Sequence, residues 1–177
     1  MSSERAILPR DLLGLARQAI RWHLAGEDLA RVGLFPRGGA PRACFVSLKT
    51  REAQRLRGCI GTILPSKPFV EEEVVANSVA AATRDPRFPP VQARELDGLS
   101  ISIDLLSPPE QVDAPEALDP GRFGLIVRAG SRCGVLLPAL PGVESVGEQL
   151  AICREKAGIS PGEPVLLERF TVRRLSE

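Results

Sequence analysis

The chain has 177 residues, of which 44% are hydrophobic and 25% charged, and its formal net charge is +1. This length suits one domain that folds without a disulfide or a metal, and the composition is close to the globular average, so disorder is not the default. A net charge so close to zero argues against a strongly electrostatic partner such as duplex DNA. We therefore predict a single domain over residues 1–177.

The cysteines and the apolar segments indicate the cellular compartment in which the protein is expected. None of the four cysteines belongs to a Cys-x-x-Cys pair, and the start, Met1 to Arg5, opens no long apolar run. The second observation predicts no signal peptide, and thiols that stay reduced in the cytoplasm make a disulfide framework unlikely. No stretch approaches the roughly 20 apolar residues of a membrane helix. We expect a cytoplasmic protein with reduced thiols.

The first half of the chain predicts two helices and a hairpin. An apolar stripe at helical spacing predicts an amphipathic helix over 11–24. After a loop from Gly33 to Pro41, strands over 44–48 and 56–63 are expected to form an antiparallel hairpin. A second helix is predicted over 68–83, capped by Ser66, with Glu71 to Glu73 as a solvated start that favours the helix dipole.

The second half is richer in strands. Strict alternation predicts a strand over 99–105 with one buried face. Strands over 125–127 and 133–137 form a predicted hairpin, a capping box at 145–148 opens a helix, and a last strand covers 165–172. Because strands and helices do not alternate regularly, we predict an α+β fold with a mixed or mostly antiparallel sheet and about three main helices.

The segment 56–61 is the first candidate site. Alternate side chains of a strand share a face. The predicted core set is Leu56, Gly58 and Ile60, and the predicted outer set is Arg57, Cys59 and Gly61. The outer set places a guanidinium beside a thiol, and a nearby cation favours a thiolate. Glycines on both sides leave room for a ligand or another backbone, so Cys59 is a candidate catalytic residue, and Arg57, Gly58 and Gly61 are candidate binding residues. The alternative is that Cys59 is a small buried residue, a common state of free cysteine.

The run Arg84-Asp85-Pro86-Arg87-Phe88 is the second candidate site. Two arginines around one aspartate form either an ion-pair lock for a proline-fixed loop or an anion clamp, because arginine binds carboxylate and phosphate with two hydrogen bonds. Arg84, Asp85 and Arg87 are therefore candidate binding residues. Arginine greatly outnumbers lysine throughout, which reflects either a GC-rich genome or an arginine-lined anion site.

Other chemistries find little support in the sequence. His23 is the only histidine, so a histidine-rich metal site is excluded, and a Cys59–His23 dyad depends on the two residues meeting in the fold. No glycine-rich phosphate loop follows a predicted strand. We predict no metal and no cofactor.

The two candidate sites, with their surroundings, resemble a known family. The matching segments run through most of the chain: Phe45 to Leu48, Leu56 to Gly61, Ala80 to Phe88, Glu95-Leu96, Ile101 to Ile103, Gly121 to Gly124, Leu136 to Pro138 and Lys156 to Gly158. They are similar to the AMMECR-type domain of the AMME-syndrome candidate-region family. Phe123 departs from the pattern, since many relatives carry a histidine there.

The resemblance implies a larger and a smaller subdomain around a cleft that the 56–61 segment borders. It also implies partner proteins, because prokaryotic members are often encoded beside, or fused to, a Memo-type dioxygenase-like protein and a radical S-adenosylmethionine (SAM) enzyme. The first hypothesis is therefore a substrate- or partner-binding component of such a modification system, with Cys59 lining the cleft. The second is a non-catalytic interaction module in which Cys59 is structural. RNA binding through arginines is the weakest, since aromatic residues are too few for base stacking.

Overall fold

A computed structural model describes residues 9–28 and 38–177. Residues 1–8, which include the start from Met1 to Arg5, lie outside the described residues. So does 29–37, which contains much of the loop predicted from Gly33 to Pro41.

The described residues form three α-helices and eight strands. The helices are α1 (Pro9–Leu24), α2 (Val70–Thr83) and α3 (Val146–Ala157). The strands are β1 (Cys44–Thr50), β2 (Leu56–Gly61), β3 (Leu99–Leu106), β4 (Glu110–Val112), β5 (Gly124–Ala129), β6 (Arg132–Leu136), β7 (Leu166–Phe170) and β8 (Val172–Ser176). Two 3-10 helices cover Ala93–Gly98 and Pro115–Ala117.

The strands make two four-stranded sheets with the orders β2-β1-β3-β8 and β4-β7-β5-β6. The pairs β1–β2, β1–β3, β4–β7, β5–β6 and β5–β7 are all antiparallel. The predicted α+β fold with mostly antiparallel strands and about three helices is thus confirmed. The strand predicted over 165–172 is present as β7, but the chain continues into a further strand, β8, in the other sheet. Neither β8 nor the short strand β4 was predicted.

The chain divides into two compact units. The first contains the described residues up to Leu105 together with Arg173–Glu177, and the second is Leu106–Val172. No described helix is both long enough and apolar enough to cross a membrane.

In the first unit, α1 and α2 pack on one face of the β2-β1-β3-β8 sheet. Their apolar stripes share a core with alternate residues of the strands, among them Val46, Leu48, Ile101 and Ile103. The intervening strand residues point to the other side of the sheet. We call that side the outer face; it carries Ser47 and Ser102.

The start of α2 differs from the prediction. Glu71 and Glu73 are fully buried, and both accept hydrogen bonds from backbone N–H groups of the preceding loops. Glu73 accepts hydrogen bonds from the backbone N–H groups of Ser66 and Lys67, each at 2.8 Å. The predicted solvated start is therefore wrong, and so is Ser66 as a cap, because α2 begins at Val70 without a side-chain cap.

The second unit confirms the predicted capping box. Ser145 accepts a hydrogen bond from the Glu148 N–H, the Glu148 side chain binds the Ser145 N–H, and Gly158 ends α3 in the left-handed conformation at φ 62°. A Cβ on Gly134 would lie 1.8 Å from the Cys153 carbonyl oxygen. Glycine at that position lets α3 approach β6 closely.

Candidate functional site

The strand that carries Cys59 contains a β-bulge at Arg57. Leu48 pairs with Gly58 and Lys49 pairs with Leu56, so Arg57 has no partner on β1. An extra residue shifts the alternation of side chains along a strand. Leu56 therefore shares a face with Lys49 and is exposed, and its predicted core position is wrong. Gly58 and Ile60 lie on the core side as predicted.

Cys59 lies on the outer face directly opposite Ser47 of β1. The thiol is half-buried, and the Ser47 hydroxyl donates a hydrogen bond to Cys59 Sγ at 3.2 Å. Ser47 pairs in turn with Ser102 of β3. Three small polar side chains thus form one row across β2, β1 and β3.

Asp85 and Arg87 bind the backbone of Cys59 from outside the sheet. β2 is an edge strand, so its outward N–H and C=O groups have no strand partner among the described residues. Asp85 Oδ2 accepts a hydrogen bond from the Cys59 N–H at 2.8 Å, and Arg87 reaches the Cys59 carbonyl oxygen at 3.5 Å. The two side chains take the place of a neighbouring strand, which protects an edge from pairing with another chain.

Asp85 and Arg87 are also tightly paired with each other. The guanidinium binds both carboxylate oxygens, at 3.0 and 2.7 Å, and the Arg87 N–H adds a third bond at 3.0 Å. The Asp85 side chain is 2% exposed and that of Arg87 is 54% exposed. These bonds, led by the one from the guanidinium, hold the pKa of Asp85 well below its usual range against the opposing effect of burial.

The Arg87 guanidinium also lies beside the Cys59 thiol. The pKa of Arg87 is raised, chiefly by the hydrogen bond to Asp85 and further by interaction with the Cys59 side chain. The cation next to the thiol is therefore Arg87, from a segment 28 residues further along the chain. The expectation that Arg57 would fill this place follows from strand alternation, which the bulge interrupts.

Arg57 binds the segment after Asp85 instead. Its guanidinium is bonded to both Glu95 carboxylate oxygens, at 3.0 and 3.2 Å, and to the carbonyl oxygen of Pro89 at 2.8 Å. The same bonds lower the pKa of Glu95. Arg57 thus fixes the loop that carries Asp85 and Arg87, and most of its donors are already used. Of the lock predicted around Asp85, only the Arg87 half is present, since Asp85 pairs with Arg87 and not with Arg84.

The two glycines beside Cys59 make room for the protein itself. A Cβ on Gly58 would lie 2.1 Å from the carbonyl oxygen of Ala81 in α2, and one on Gly61 would lie 2.3 Å from the Phe45 ring. The expectation of room for another backbone is met at Gly58. Neither position shows space for a ligand.

Arg84 has a different environment from its two neighbours. Its backbone N–H caps the end of α2 by binding the Ala80 carbonyl oxygen at 2.7 Å. Its side chain is exposed, and within the described ranges no ion pair or hydrogen bond engages it. Of the predicted anion contacts, Arg84 and the outer part of Arg87 are the ones with donors to offer.

His23 does not meet Cys59. It is exposed at the end of α1, and α1 packs on the side of the sheet opposite to Cys59. In the part of the chain that the structure describes, no group of three or more histidine, cysteine or acidic side chains is close enough to hold a metal ion. The site offers a thiol, a hydroxyl and a guanidinium, a set suited to binding an anion or presenting a thiolate.

Phe123 lies in the second unit under two arginines. The guanidinium carbons of Arg122 and Arg169 are 5.0 and 4.4 Å from the centre of its ring. Its carbonyl oxygen accepts a hydrogen bond from the buried Gln149 side chain at 2.9 Å. An aromatic ring under guanidinium groups is a favourable cation–π arrangement, so Phe123 has a packing role of its own here.

Ser47 is the site residue that sequence reasoning missed. The predicted hairpin contained the signal, because antiparallel pairing places a residue of β1 opposite Cys59. The register was needed to say which one, and the register depends on the turn and the bulge.

The fold and the site define an antiparallel α+β protein with a thiol on the outer face of one sheet, bounded by an Asp–Arg pair. A sequence model of the AMMECR1 family matches residues 13–175, across both units. The chain belongs to the AMMECR1 family.

Several relatives are similar over most of the chain. A protein of Thermotoga maritima is 50% identical over 131 residues, covering 73% of this chain and 75% of its own length. One from Methanocaldococcus jannaschii is 38% identical over 175 residues, covering 92% and 86%. One from Clostridium acetobutylicum is 45% identical over 136 residues, but the match covers only 28% of that protein.

A solved structure has the same fold. The crystal structure of an uncharacterized protein from Pyrococcus horikoshii superimposes with a TM-score of 0.85 at 33% identity. The match covers 94% of this chain and 90% of that one.

Proposed function

We propose that this chain is the small substrate- or partner-binding component of a modification system containing a radical SAM enzyme and a Memo-type protein. Cys59 is the contact residue in this proposal. The supporting observation is the half-buried Cys59 thiol, which accepts a hydrogen bond from the Ser47 hydroxyl while the Arg87 guanidinium reaches the Cys59 carbonyl oxygen. The two partner classes come from the family resemblance. The longer Clostridium relative is consistent with a family domain that works beside other sequence.

Arg87 is the anion contact of the proposed site. Arg57 was expected in that role, but its guanidinium is bonded to Glu95 and to Pro89. Arg87 is held in place by Asp85 and keeps about half of its side chain exposed. A substrate or partner carboxylate or phosphate would bind that exposed part, next to the thiol.

Site-resolved alkylation of the folded protein with iodoacetamide, between pH 6 and 9, tests the chemistry. We expect Cys59 to react faster than a free cysteine, because its half-buried thiol has the Ser47 hydroxyl at 3.2 Å and the Arg87 guanidinium bound to the carbonyl oxygen of the same residue. Cys133 is also half-buried and pairs with Arg128 on β5, so it controls for exposure of the thiol but not for a neighbouring guanidinium. Cys44 and Cys153 should stay unmodified, because burial raises the pKa of each thiol to about 12. Alkylation of Cys59 no faster than a free cysteine, or only after unfolding, rules out a thiolate role.

A non-catalytic interaction module is the second candidate. It is favoured by the way the backbone around Cys59 is packed: Gly58 against α2, Gly61 under Phe45, and the strand edge closed by Asp85. In that case Cys59→Ser keeps partner binding and biological activity. Loss of activity with unchanged thermal stability would reject this alternative.

A further inference from the structure

A second cluster in the first unit surrounds the carboxylate of Glu177, just after β8. Arg17 donates to both of its oxygens, from Nε at 2.8 Å and from a terminal nitrogen at 2.6 Å. Arg51 adds a bond at 2.9 Å and the Ile101 N–H one at 3.2 Å. One carboxylate thus receives four hydrogen bonds from two guanidiniums and a backbone group.

The donors of this cluster are positioned without help from Glu177. Arg17 also binds the carbonyl oxygens of Leu96 and Leu99, at 2.8 and 2.7 Å. Arg51 binds the carbonyl oxygen of Asp97 at 3.2 Å, and Ile101 is a central residue of β3. Removing the Glu177 side chain therefore leaves a formed set of donors facing an empty space. Fixed donors of this kind bind an anion without the cost of ordering them first.

The cluster has the geometry and charge of a carboxylate site. The two-pronged contact of Arg17 is the planar fork that suits carboxylate. The side chains of Arg17 and Glu177 are only 17% and 18% exposed, whereas Arg51 is 48% exposed and gives access from solvent. In the described part of the chain, Glu177 is the only acidic side chain paired with Arg17 or Arg51.

The ionisation of the Glu177 carboxyl is consistent with a site that binds an anion. Burial disfavours its charged form, but the hydrogen bonds and charge of Arg17, with the charge of Arg51, outweigh it. They hold the pKa of the Glu177 carboxyl below its usual range.

We propose that Arg17, Arg51 and the Ile101 N–H form a carboxylate-binding site. Glu177 occupies it in this structure, and the carboxylate of another molecule binds there when Glu177 withdraws. This site lies apart from Cys59 and does not depend on the function proposed for it.

Chemical rescue tests the proposal. The melting temperature of wild type, Glu177→Ala and Glu177→Ala/Arg17→Lys is measured against millimolar malonate, with sodium chloride at matched ionic strength as the control. We expect Glu177→Ala to melt about 5 °C below wild type, the size of shift that loss of a strong charged contact gives in a domain of this size. Malonate should recover most of that loss saturably in Glu177→Ala alone. Lysine at position 17 lacks the two-pronged contact, so the double variant should not be rescued.

A second readout locates the ligand and separates its sources. In Glu177→Ala, malonate at millimolar concentration should shift the amide resonance of Ile101. Wild type should show the same shift only at higher malonate, because Glu177 competes for the site, and a wild type that never shows it would overturn the proposed withdrawal of Glu177. A blocked tripeptide with one central glutamate is titrated in parallel. Tighter binding of malonate assigns the site to small dicarboxylates. Tighter binding of the peptide assigns it to acidic side chains of a protein. Glu177→Gln is measured alongside and should bind more weakly, because its amide still fills the site. Unchanged melting of Glu177→Ala, or equal effects of malonate on all three proteins, would overturn the proposal.

Discussion

Asp85 is the side chain that holds the Cys59 site together. Its buried carboxylate accepts hydrogen bonds from the Cys59 N–H and from both the backbone and the guanidinium of Arg87. Every one of these bonds needs an acceptor, which the ionised carboxylate supplies at both oxygens. The charge of Asp85 therefore contributes to stability as well as to the placement of Arg87.

We predict that Asp85→Asn lowers the free energy of unfolding by about 2 kcal/mol near neutral pH, since it removes charge-assisted bonds at a buried position. The pKa of Asp85 is lower in the folded state than in the unfolded chain. Its contribution is then present in full above about pH 4, and is lost as the pH falls through the folded-state value. Urea unfolding of both proteins from pH 3 to 7 should show a gap that is constant above pH 5 and shrinks below pH 4.

Glu110→Gln is the matched control for that experiment. Glu110 also pairs with an arginine, but at 3.4 Å and with its side chain 67% exposed. Exposed pairs contribute little, so the change in stability should stay below about 0.5 kcal/mol. Equal effects of the two variants would contradict the role given to Asp85.

At the scale of elements, the close approach of β2 to α2 places Cys59. Gly58 makes that approach possible, since a Cβ there would lie 2.1 Å from a backbone oxygen of the helix. Backbone on a packed helix cannot move aside as a flexible side chain does. The strand and the helix therefore have to separate if any side chain is added.

We predict that Gly58→Ala costs about 3 kcal/mol, at the upper end of the usual cost of overpacking. It should also change the alkylation rate of the neighbouring Cys59. Gly14→Ala is the matched control, because Gly14 lies within α1 with nothing within 4 Å of its Cβ position. Alanine there should stabilise the protein by about 0.5–1 kcal/mol. A Gly58→Ala protein as stable as wild type in urea unfolding would refute the close contact.

The periodic elements were predictable from the sequence, and their departures from regularity were not. The strand at 99–105 and the capping box of α3 follow from local patterns that the structure keeps. The bulge at Arg57 leaves no such pattern, because one extra residue in a six-residue strand looks like an ordinary strand. Its consequence, Leu56 on the outer face, follows only once the register with β1 is known.

At the scale of the whole molecule, long-range contacts decide what the local patterns mean. Glu73 looks like a surface residue of a helix start, yet the loop before α2 turns its N–H groups toward it. The segment 165–172 looks like one strand, yet β7 and β8 pair in different sheets. Sequence reasoning placed Arg57 beside Cys59 and did not include Ser47, because the segments that bring Arg87 and Ser47 to Cys59 meet it only in the folded chain.

Quantitative affinity capture from the native cell, read by mass spectrometry, tests the central claim that Cys59 lies on a binding surface. Wild type, Cys59→Ser and the control Cys133→Ser are compared after equal thermal stability has been verified. We predict that wild type and Cys133→Ser recover a radical SAM enzyme and a Memo-type protein, and that Cys59→Ser recovers about tenfold less, equivalent to ~1.4 kcal/mol of binding free energy. Equal recovery by all three proteins would contradict the account and leave Cys59 as a structural residue of the sheet.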